Sequence, residues 1–229
     1  MKLLLSSLVL LSGLLAQAQM PPFAVVKSVE IDGSGCEAGS ASVIMTPDLN
    51  FMSVLYDRFS AEIGKGTANP NAKSAEKKCT LNVTIQIPPG WNFEFESVEY
   101  RGFVRLPNQM ALAYQLISAE VYGGRGFGFD QNIMKGPRTE NFASTVSNAK
   151  ISGAGGILGK IGAIKGQIDQ LKAGGGCSVQ GQETKIKIQS LIGVRNLLAQ
   201  ISKPAVQIVV DSTDASFRQN LRLRWRQCN

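Results

Sequence analysis

Residues 80–87 are Thr-Leu-Asn-Val-Thr-Ile-Gln-Ile, a strict alternation of polar and aliphatic side chains. Successive side chains of a β-strand point to opposite faces of a sheet. This period of two therefore directs the aliphatic residues into a core and the polar ones toward solvent. Pro88-Pro89-Gly90 follows directly and has the composition of a turn. The segment predicts a half-buried strand of an antiparallel sheet.

Alternation resumes in residues 91–96, where aromatic residues alternate with Asn and Glu. The apolar phase then shifts to Val98 and Tyr100, which predicts a β-bulge near Ser97. Short segments of similar character, separated by Gly, Pro, Asn and Asp clusters, predict further strands: Phe23–Asp32, Ala41–Met45, Phe51–Phe59, Ala111–Tyr122, Thr139–Val146, Thr184–Ile192, Val206–Val210 and Phe217–Arg226. Many short strands indicate an all-β sandwich or barrel rather than an α/β fold, and an antiparallel β-sandwich is the architecture we expect.

Between residues 148 and 177 the pattern becomes helical. The segment is rich in Gly and Ile, and its aliphatic residues recur at spacings of four and three, which is typical of a narrow apolar stripe on a helix. The stripe consists of Ile157, Ile161, Ile164, Ile168 and Leu171. We expect a Gly/Ile-rich insertion at residues 149–176, with one amphipathic helix near residues 150–173. Packing on the sandwich edge, loose order, and contact with a membrane surface or a partner helix all stay open for it.

The first residues predict export from the cytoplasm. Lys2 gives a positive start, residues 3–15 form an apolar run, and Ala16-Gln17-Ala18 has the small-x-small pattern of a cleavage site. The run is too short to span a bilayer, which takes about 20 helical residues. We expect residues 1–18 to be a signal peptide cleaved near Ala18. Residues 19–229 should then form a single secreted or periplasmic β-sandwich domain.

Four cysteines follow the predicted cleavage site: Cys36, Cys79, Cys177 and Cys228. An even number in an exported chain predicts two disulfides, with three pairings formally possible. Cys36–Cys79 and Cys177–Cys228 are favoured because each joins neighbours in sequence. Each would close a loop of roughly 40 to 50 residues and stabilise the fold by about 3–4 kcal/mol. A zinc site is the competing interpretation, but the chain has no C-x-x-C pair and no His, so we expect no metal.

The absence of His restricts the available chemistry. It excludes Ser-His-Asp and Cys-His nucleophiles, His-based metal catalysis and the usual proton carrier near neutral pH. We therefore expect no cofactor, and a non-enzymatic role rather than an enzymatic one. Glu94 and Glu96 share one face of a predicted strand. This pair leaves open the alternative of a carboxylate-dependent hydrolase of envelope or wall carbohydrate.

The most unusual surface is predicted for the strand at residues 217–226. Its apolar residues point one way, and its arginines form a ladder on the other face, with about 7 Å between side chains two positions apart. The candidate binding residues are Arg218, Arg222, Arg224 and Arg226, together with a shorter basic face of Lys185 and Lys187. Guanidinium groups suit phosphate, sulfate or carboxylate, so the expected partner is an anionic glycan or envelope polymer. The lack of aromatic residues on this face argues against nucleic acid, and a solvated face or cross-strand pairing with Glu94 and Glu96 is the alternative.

Several short motifs, taken in order along the chain, resemble one family. They are Gly33-Ser34-Gly35-Cys36 with Gly39-Ser40, Tyr56-Asp57, Lys77-Lys78-Cys79 with Leu81-Asn82-Val83, Pro89-Gly90, Tyr100-Arg101-Gly102, Asp211-Ser212-Thr213-Asp214 and Trp225-Arg226-Gln227-Cys228. The combination is similar to a family of small secreted proteins known as domain of unknown function 4360. The resemblance implies a secreted β domain with paired cysteines and brings no established activity. The Ile/Gly-rich insertion departs from the family pattern.

Together these features predict a secreted or periplasmic, non-enzymatic binding or surface-associated protein that contacts anionic polymer through a basic strand face. Besides the hydrolase, a second alternative is a membrane-active secreted effector that uses the cationic helix of the insertion. Peripheral membrane contact through the Ile stripe belongs to this alternative. Asn82-Val83-Thr84 is also a glycosylation sequon, with its Asn on the outward face of the strand.

Overall fold

The computed structural model describes residues 20–121, 127–147, 182–197, 204–210 and 218–228. These residues form an all-β, sandwich-like structure with a five-stranded and a seven-stranded antiparallel sheet, and they contain no helix. The strands are β1 (Val25–Asp32), β2 (Ala41–Met45), β3 (Phe51–Tyr56), β4 (Phe59–Ile63), β5 (Ser74–Ile87), β6 (Trp91–Leu106), β7 (Ala111–Val121), β8 (Phe127–Lys135), β9 (Arg138–Ser147), β10 (Gln182–Asn196), β11 (Val206–Val210) and β12 (Gln219–Gln227).

The five-stranded sheet has the order β1-β5-β10-β7-β8 and contains the alternating segment in β5, next to the edge strand β1. β5 pairs with β1 on one edge and with β10 on the other. Leu81, Val83 and Ile85 are almost fully buried, whereas Asn82 and Thr84 between them are half-buried. Burying each aliphatic side chain contributes roughly 1.5–3 kcal/mol, so this alternation holds the sheet against the opposite layer.

In the seven-stranded sheet, two pairs of short strands, β3 with β4 and β11 with β12, each lie along the length of the long strand β6. β3 and β4 follow one another with a break at Asp57-Arg58. β11 and β12 pair with successive parts of β6, at residues 103–105 and 91–100. Because β3 pairs with β12 and β4 pairs with β11, the two pairs run side by side. β12 therefore occupies an interior position between β3 and β6, while β2 pairs with β3 and β9 pairs with β6.

A buried polar contact joins β3 and β12 of the seven-stranded sheet to β10 of the five-stranded sheet. Tyr56 of β3 places its hydroxyl 3.0 Å from Ser190 Oγ of β10 and donates a hydrogen bond to Gln219 Oε1 at 3.0 Å. Ser190 donates to the same oxygen at 2.9 Å. All three residues are buried, and a buried polar group without a partner costs about 1–3 kcal/mol. The contact therefore favours one alignment of the two sheets.

The strands predicted from the sequence are confirmed, with some differences at their ends. β2 and β11 have the predicted bounds, and β5 begins six residues earlier than the alternating segment. The expected single strand at residues 51–59 is wrong, since the chain breaks at Asp57-Arg58 and continues as β4. β8 was not predicted, because its mixture of Gly, Asp, Gln and Asn obscures the alternation. The bulge is confirmed, as the β12 register shifts between Arg222 and Leu223, opposite Ser97.

Cys36 and Cys79 form the predicted disulfide, with their Cα atoms 5.3 Å apart. It is the one disulfide, instead of two, that has both partners among the described residues. Cys228 is disulfide-bonded, but Cys177 lies outside the described residues, so its pairing with Cys228 stays a prediction. The signal peptide (residues 1–18) and the insertion (residues 149–176) with its helix also lie outside them. Across the described ranges, no helix is long and apolar enough to cross a membrane.

Candidate functional site

The outer face of β12 carries most of the predicted arginine ladder. Buried and exposed residues alternate along this strand, so its apolar side chains enter the core. Trp225 anchors the strand there, because its indole Nε1 donates a hydrogen bond to the carbonyl oxygen of Leu49 at 2.8 Å. Arg222, Arg224 and Arg226 project from the opposite face, with more than half of each side chain exposed.

Two carboxylates of β6 pair with these three arginines. Arg224 donates through Nη2 to Glu96 Oε1 at 2.6 Å, and its Nη1 lies 3.5 Å from Glu94 Oε1. Arg222 Nε lies 3.2 Å from Glu96 Oε2, and Arg226 Nη2 donates to Glu94 Oε1 at 2.7 Å. We call these five residues the arginine face. Three cations meet two carboxylates, so the face retains a small positive excess.

The pairing stabilises the ionised form of Glu96. The hydrogen bond from Arg224 is the main cause that lowers the pKa of Glu96, and the charges of Arg224 and Arg222 act in the same direction. A carboxyl that serves as a general acid in glycoside hydrolysis needs a raised pKa instead. The contacts of Glu94 and Glu96 thus give no support to acid catalysis. Nor do three or more acidic or thiol side chains of the described segments converge on a position that could hold a metal ion.

The other predicted binding residues lie apart from the arginine face. Arg218 precedes β12 and is exposed, and its carbonyl oxygen accepts a hydrogen bond from the backbone N–H of Arg101 at 3.1 Å. Lys185 and Lys187 lie on the outer face of the five-stranded sheet, on the other side of the sandwich, where Lys187 is opposite Glu120 in the register of β10 and β7. The structure does not bring these lysines and the arginines together.

Asn82 lies on the same outer face as the two lysines. Its side chain is half-buried and lines a shallow groove with Glu30, Thr84 and Lys185. The outward direction predicted for the sequon asparagine is therefore confirmed.

A cleft that the sequence did not predict lies beside the Cys36–Cys79 disulfide. It forms where the connection between β1 and β2 passes the beginnings of β4 and β5, and it encloses about 530 Å³ that is open to solvent. We call it the disulfide cleft, and it is lined by Ser34, Gly35, Glu37, Ser40, Arg58, Ser60 and Lys77. Its walls carry two cations, one carboxylate and three hydroxyls.

Backbone contacts fix the walls of the disulfide cleft. The N–H of Gly35 donates to the carbonyl oxygen of Lys78 at 2.8 Å, and the N–H of Lys78 donates to Ser34 Oγ at 3.2 Å. The ammonium group of Lys77 donates to the carbonyl oxygen of Ser34 at 3.1 Å. A side chain at Gly35 would not fit, because its Cβ would lie 2.5 Å from the ring of Phe59. The glycine therefore allows the loop to pack directly on β4.

The sequence contained one indirect signal for this cleft. Gly33-Ser34-Gly35-Cys36, Gly39-Ser40 and Lys77-Lys78-Cys79 are motifs of the family resemblance, and the disulfide brings them together. Arg58 and Ser60 complete the cleft from a third part of the chain. A search for charge along single strands misses such a site, because each segment contributes only one or two of its polar groups.

Comparison with known proteins identifies the family of the chain and no activity. The family described as Domain of unknown function (DUF4360) matches residues 23–158, which is more than half of the chain. An uncharacterized secreted protein of Arthroderma benhamiae is 25% identical over 203 residues, covering 89% of this chain and 71% of that protein. This relationship confirms the predicted location outside the cytoplasm. The match also confirms the resemblance seen in the motifs: the chain belongs to the DUF4360 family.

Proposed function

We propose that this protein is a secreted, non-enzymatic binding module that contacts an anionic glycan polymer through the arginine face. The observation that supports this proposal is the exposure of three guanidinium groups, side by side on one strand. Arg222, Arg224 and Arg226 keep 57%, 55% and 57% of their side chains exposed while they are ion-paired. The strand beneath them is fixed by its buried residues, so the groups are presented on a rigid surface.

Ion pairing leaves donors available on each arginine. A guanidinium group has five N–H donors, and each arginine of the face directs one or two of its nitrogens to a carboxylate. The remaining donors can bind a carboxylate or sulfate group of a ligand. The oxygens of Glu94 and Glu96 can accept hydrogen bonds from sugar hydroxyls.

The mixture of charges favours a hydroxyl-rich polymer of moderate charge over nucleic acid. A dense polyanion would meet the repulsion of Glu94 and Glu96 at the centre of the face. Single-stranded nucleic acid would also need exposed aromatic rings for base stacking. The ring of Phe51 lies beside the arginines, but the guanidinium of Arg222 is placed over it, 5.9 Å from the ring centroid. A glycan with spaced carboxylate or sulfate groups fits this arrangement better.

The test is a triple variant, Arg222→Gln/Arg224→Gln/Arg226→Gln, assayed against hyaluronate, chondroitin 4-sulfate and neutral dextran over a series of salt concentrations. We expect the unaltered protein to bind one of the two charged polymers at low salt and to lose that binding as salt rises. The variant should bind about tenfold or more weakly, because charge-assisted hydrogen bonds are lost.

The matched control is Lys27→Gln/Lys73→Gln/Lys135→Gln, which removes the same charge from exposed positions outside the arginine face. If both triple variants weaken binding equally, general basicity rather than the arginine face is responsible. Absence of binding to either charged polymer would also contradict the proposal.

A further inference from the structure

We propose that the disulfide cleft is a second binding site, which takes the sulfate or phosphate group of a sugar ester. This inference rests on residues other than those of the arginine face, and it does not depend on the function proposed for that face. Arg222 lies opposite Ser97 of β6, and Ser60 of the cleft pairs with Val209, which lies opposite Phe103 of β6. Six residues at about 3.3 Å each place roughly 20 Å between the two surfaces along β6.

Two cations of the disulfide cleft favour an anionic ligand. Among the described residues, the side chains of Arg58 and Lys77 form no ion pair with a carboxylate, in contrast to the three arginines of β12. Both line the same cleft, where Glu37 is the sole carboxylate of the lining. An anionic group that contacts Arg58 and Lys77 would gain two opposite charges without displacing a carboxylate.

Two serine hydroxyls of the cleft can donate hydrogen bonds to a bound anion. Ser34 Oγ accepts a hydrogen bond from the backbone of Lys78, which leaves the hydroxyl hydrogen of Ser34 to donate. In the part of the chain that the structure describes, the half-buried hydroxyl of Ser60 makes no hydrogen bond. These two hydroxyls can donate to the oxygens of a tetrahedral anion that Arg58 and Lys77 hold by charge.

Hydrogen-bond acceptors in the cleft favour an anionic group that is carried by a sugar. Ser40 already donates its hydroxyl hydrogen to the carbonyl oxygen of Glu37 at 2.8 Å, so its oxygen is left as an acceptor. The carboxylate of Glu37 is an acceptor as well, and it would repel a free anion that came close to it. The presence of both acceptors and donors in the cleft matches a ligand that carries an anionic group together with hydroxyls.

The rigidity of the cleft favours binding of such a ligand. The disulfide and the packing of Gly35 on Phe59 hold the walls in place before a ligand arrives. Less ordering is then needed on binding, which favours affinity for a small ligand.

The experiment is a titration of the isotopically labelled protein, followed through its backbone amide resonances, with five probes: inorganic sulfate, inorganic phosphate, glucose 6-sulfate, glucose 6-phosphate and glucose. We expect saturable shifts at Ser34, Gly35 and Ser60 with at least one of the two sugar esters, and none with glucose. The ester should bind more tightly than the inorganic ion of the same charge. Equal affinities for ester and inorganic ion would overturn the assignment to a sugar ester.

Arg58→Gln and Lys77→Gln should each weaken ester binding about tenfold, because each removes one of the two charges that hold the anion. Arg105→Gln and Lys73→Gln are the matched controls, since they remove an exposed arginine and an exposed lysine outside the cleft. Arg58 is itself exposed, so Arg58→Gln should fold normally. Unchanged affinity in both cleft variants, or an equal loss in the controls, would overturn the proposal. The triple arginine variant should keep full ester binding, which separates this test from that of the arginine face.

Discussion

The arginine face and the disulfide cleft each have one more cation than carboxylate among their residues, but they differ in how these charges are paired. Arginines two positions apart in sequence line the outer side of β12, and the neighbouring strand β6 pairs them with Glu94 and Glu96. In the cleft, Arg58 comes from the break between β3 and β4 and Lys77 comes from β5, and no carboxylate of the described residues pairs with them. A run of basic residues in a sequence therefore does not show which carboxylates pair with it. Cations without a carboxylate partner can also come from parts of the chain where no such run is visible.

The largest expected effect separates the two surfaces by removing the disulfide. The double variant Cys36→Ala/Cys79→Ala loses a cross-link over 43 residues of sequence, which should lower the free energy of unfolding by about 3–4 kcal/mol. Denaturant unfolding followed by tryptophan fluorescence measures the change. Sugar-ester binding should disappear because two walls of the cleft separate, while folded protein keeps its binding to charged polymer. Equal loss of both activities would show that the surfaces are not independent.

A smaller effect is expected from adding a methyl group at Gly35, which packs on Phe59 beside the cleft. Gly35→Ala places a methyl group against the ring of Phe59, and such overpacking should lower stability by about 1–3 kcal/mol and weaken ester binding. The control is Gly90→Ala, where no atom lies within 4 Å but φ is +73°. Backbone strain alone should lower the stability of this control by about 1 kcal/mol without any change in ester affinity. Thermal melting and the amide titration together check both results, and normal ester binding by Gly35→Ala would contradict the role given to this contact.

The smallest effect concerns the pairing on the arginine face. Because the pKa of Glu96 is lowered in the folded protein, its stabilising contribution is present above the ordinary value of 4.5 and is lost as pH falls through the lower folded pKa. Arg224→Gln should raise the pKa of Glu96 toward 4.5, which a carboxyl carbon resonance reports during an acid titration. The free energy of unfolding at neutral pH should change little, since the pair is exposed and screened by solvent. An unchanged pKa of Glu96 in this variant would show that the hydrogen bond from Arg224 is not the main cause of the lowered pKa.

Local patterns in the sequence predicted most of the strands. The alternation at residues 80–87 and the phase shift near Ser97 depend on side chains only a few positions apart, so β5 and the bulge in β6 could be recognised. The break at Asp57-Arg58 was missed, although the buried side chains change phase there, from even-numbered positions in residues 52–56 to odd-numbered positions in residues 59–63. Its cause is tertiary, since β3 and β4 pair with two different strands, β12 and β11.

The candidate sites were harder to predict, because they depend on register between distant strands. The pairing of Arg224 with Glu96 joins residues 128 positions apart. Cross-strand pairing was one of the alternatives considered for the arginines, but the sequence could not decide between it and a free ladder. The disulfide cleft needs the crossing of the β1–β2 connection over β4 and β5, which no local pattern specifies. The predicted Cys36–Cys79 bond came closest to indicating it, because it places Ser34 beside Lys78.

The interior position of β12 has a consequence for the order in which the protein can be built. Residues 219–227 are synthesised after all the strands around them, yet they fill the place between β3 and β6. Until they arrive, the facing edges of β3 and β6 have unsatisfied backbone groups, and Leu49 lacks the indole of Trp225. The seven-stranded layer can thus close only after these residues have been synthesised.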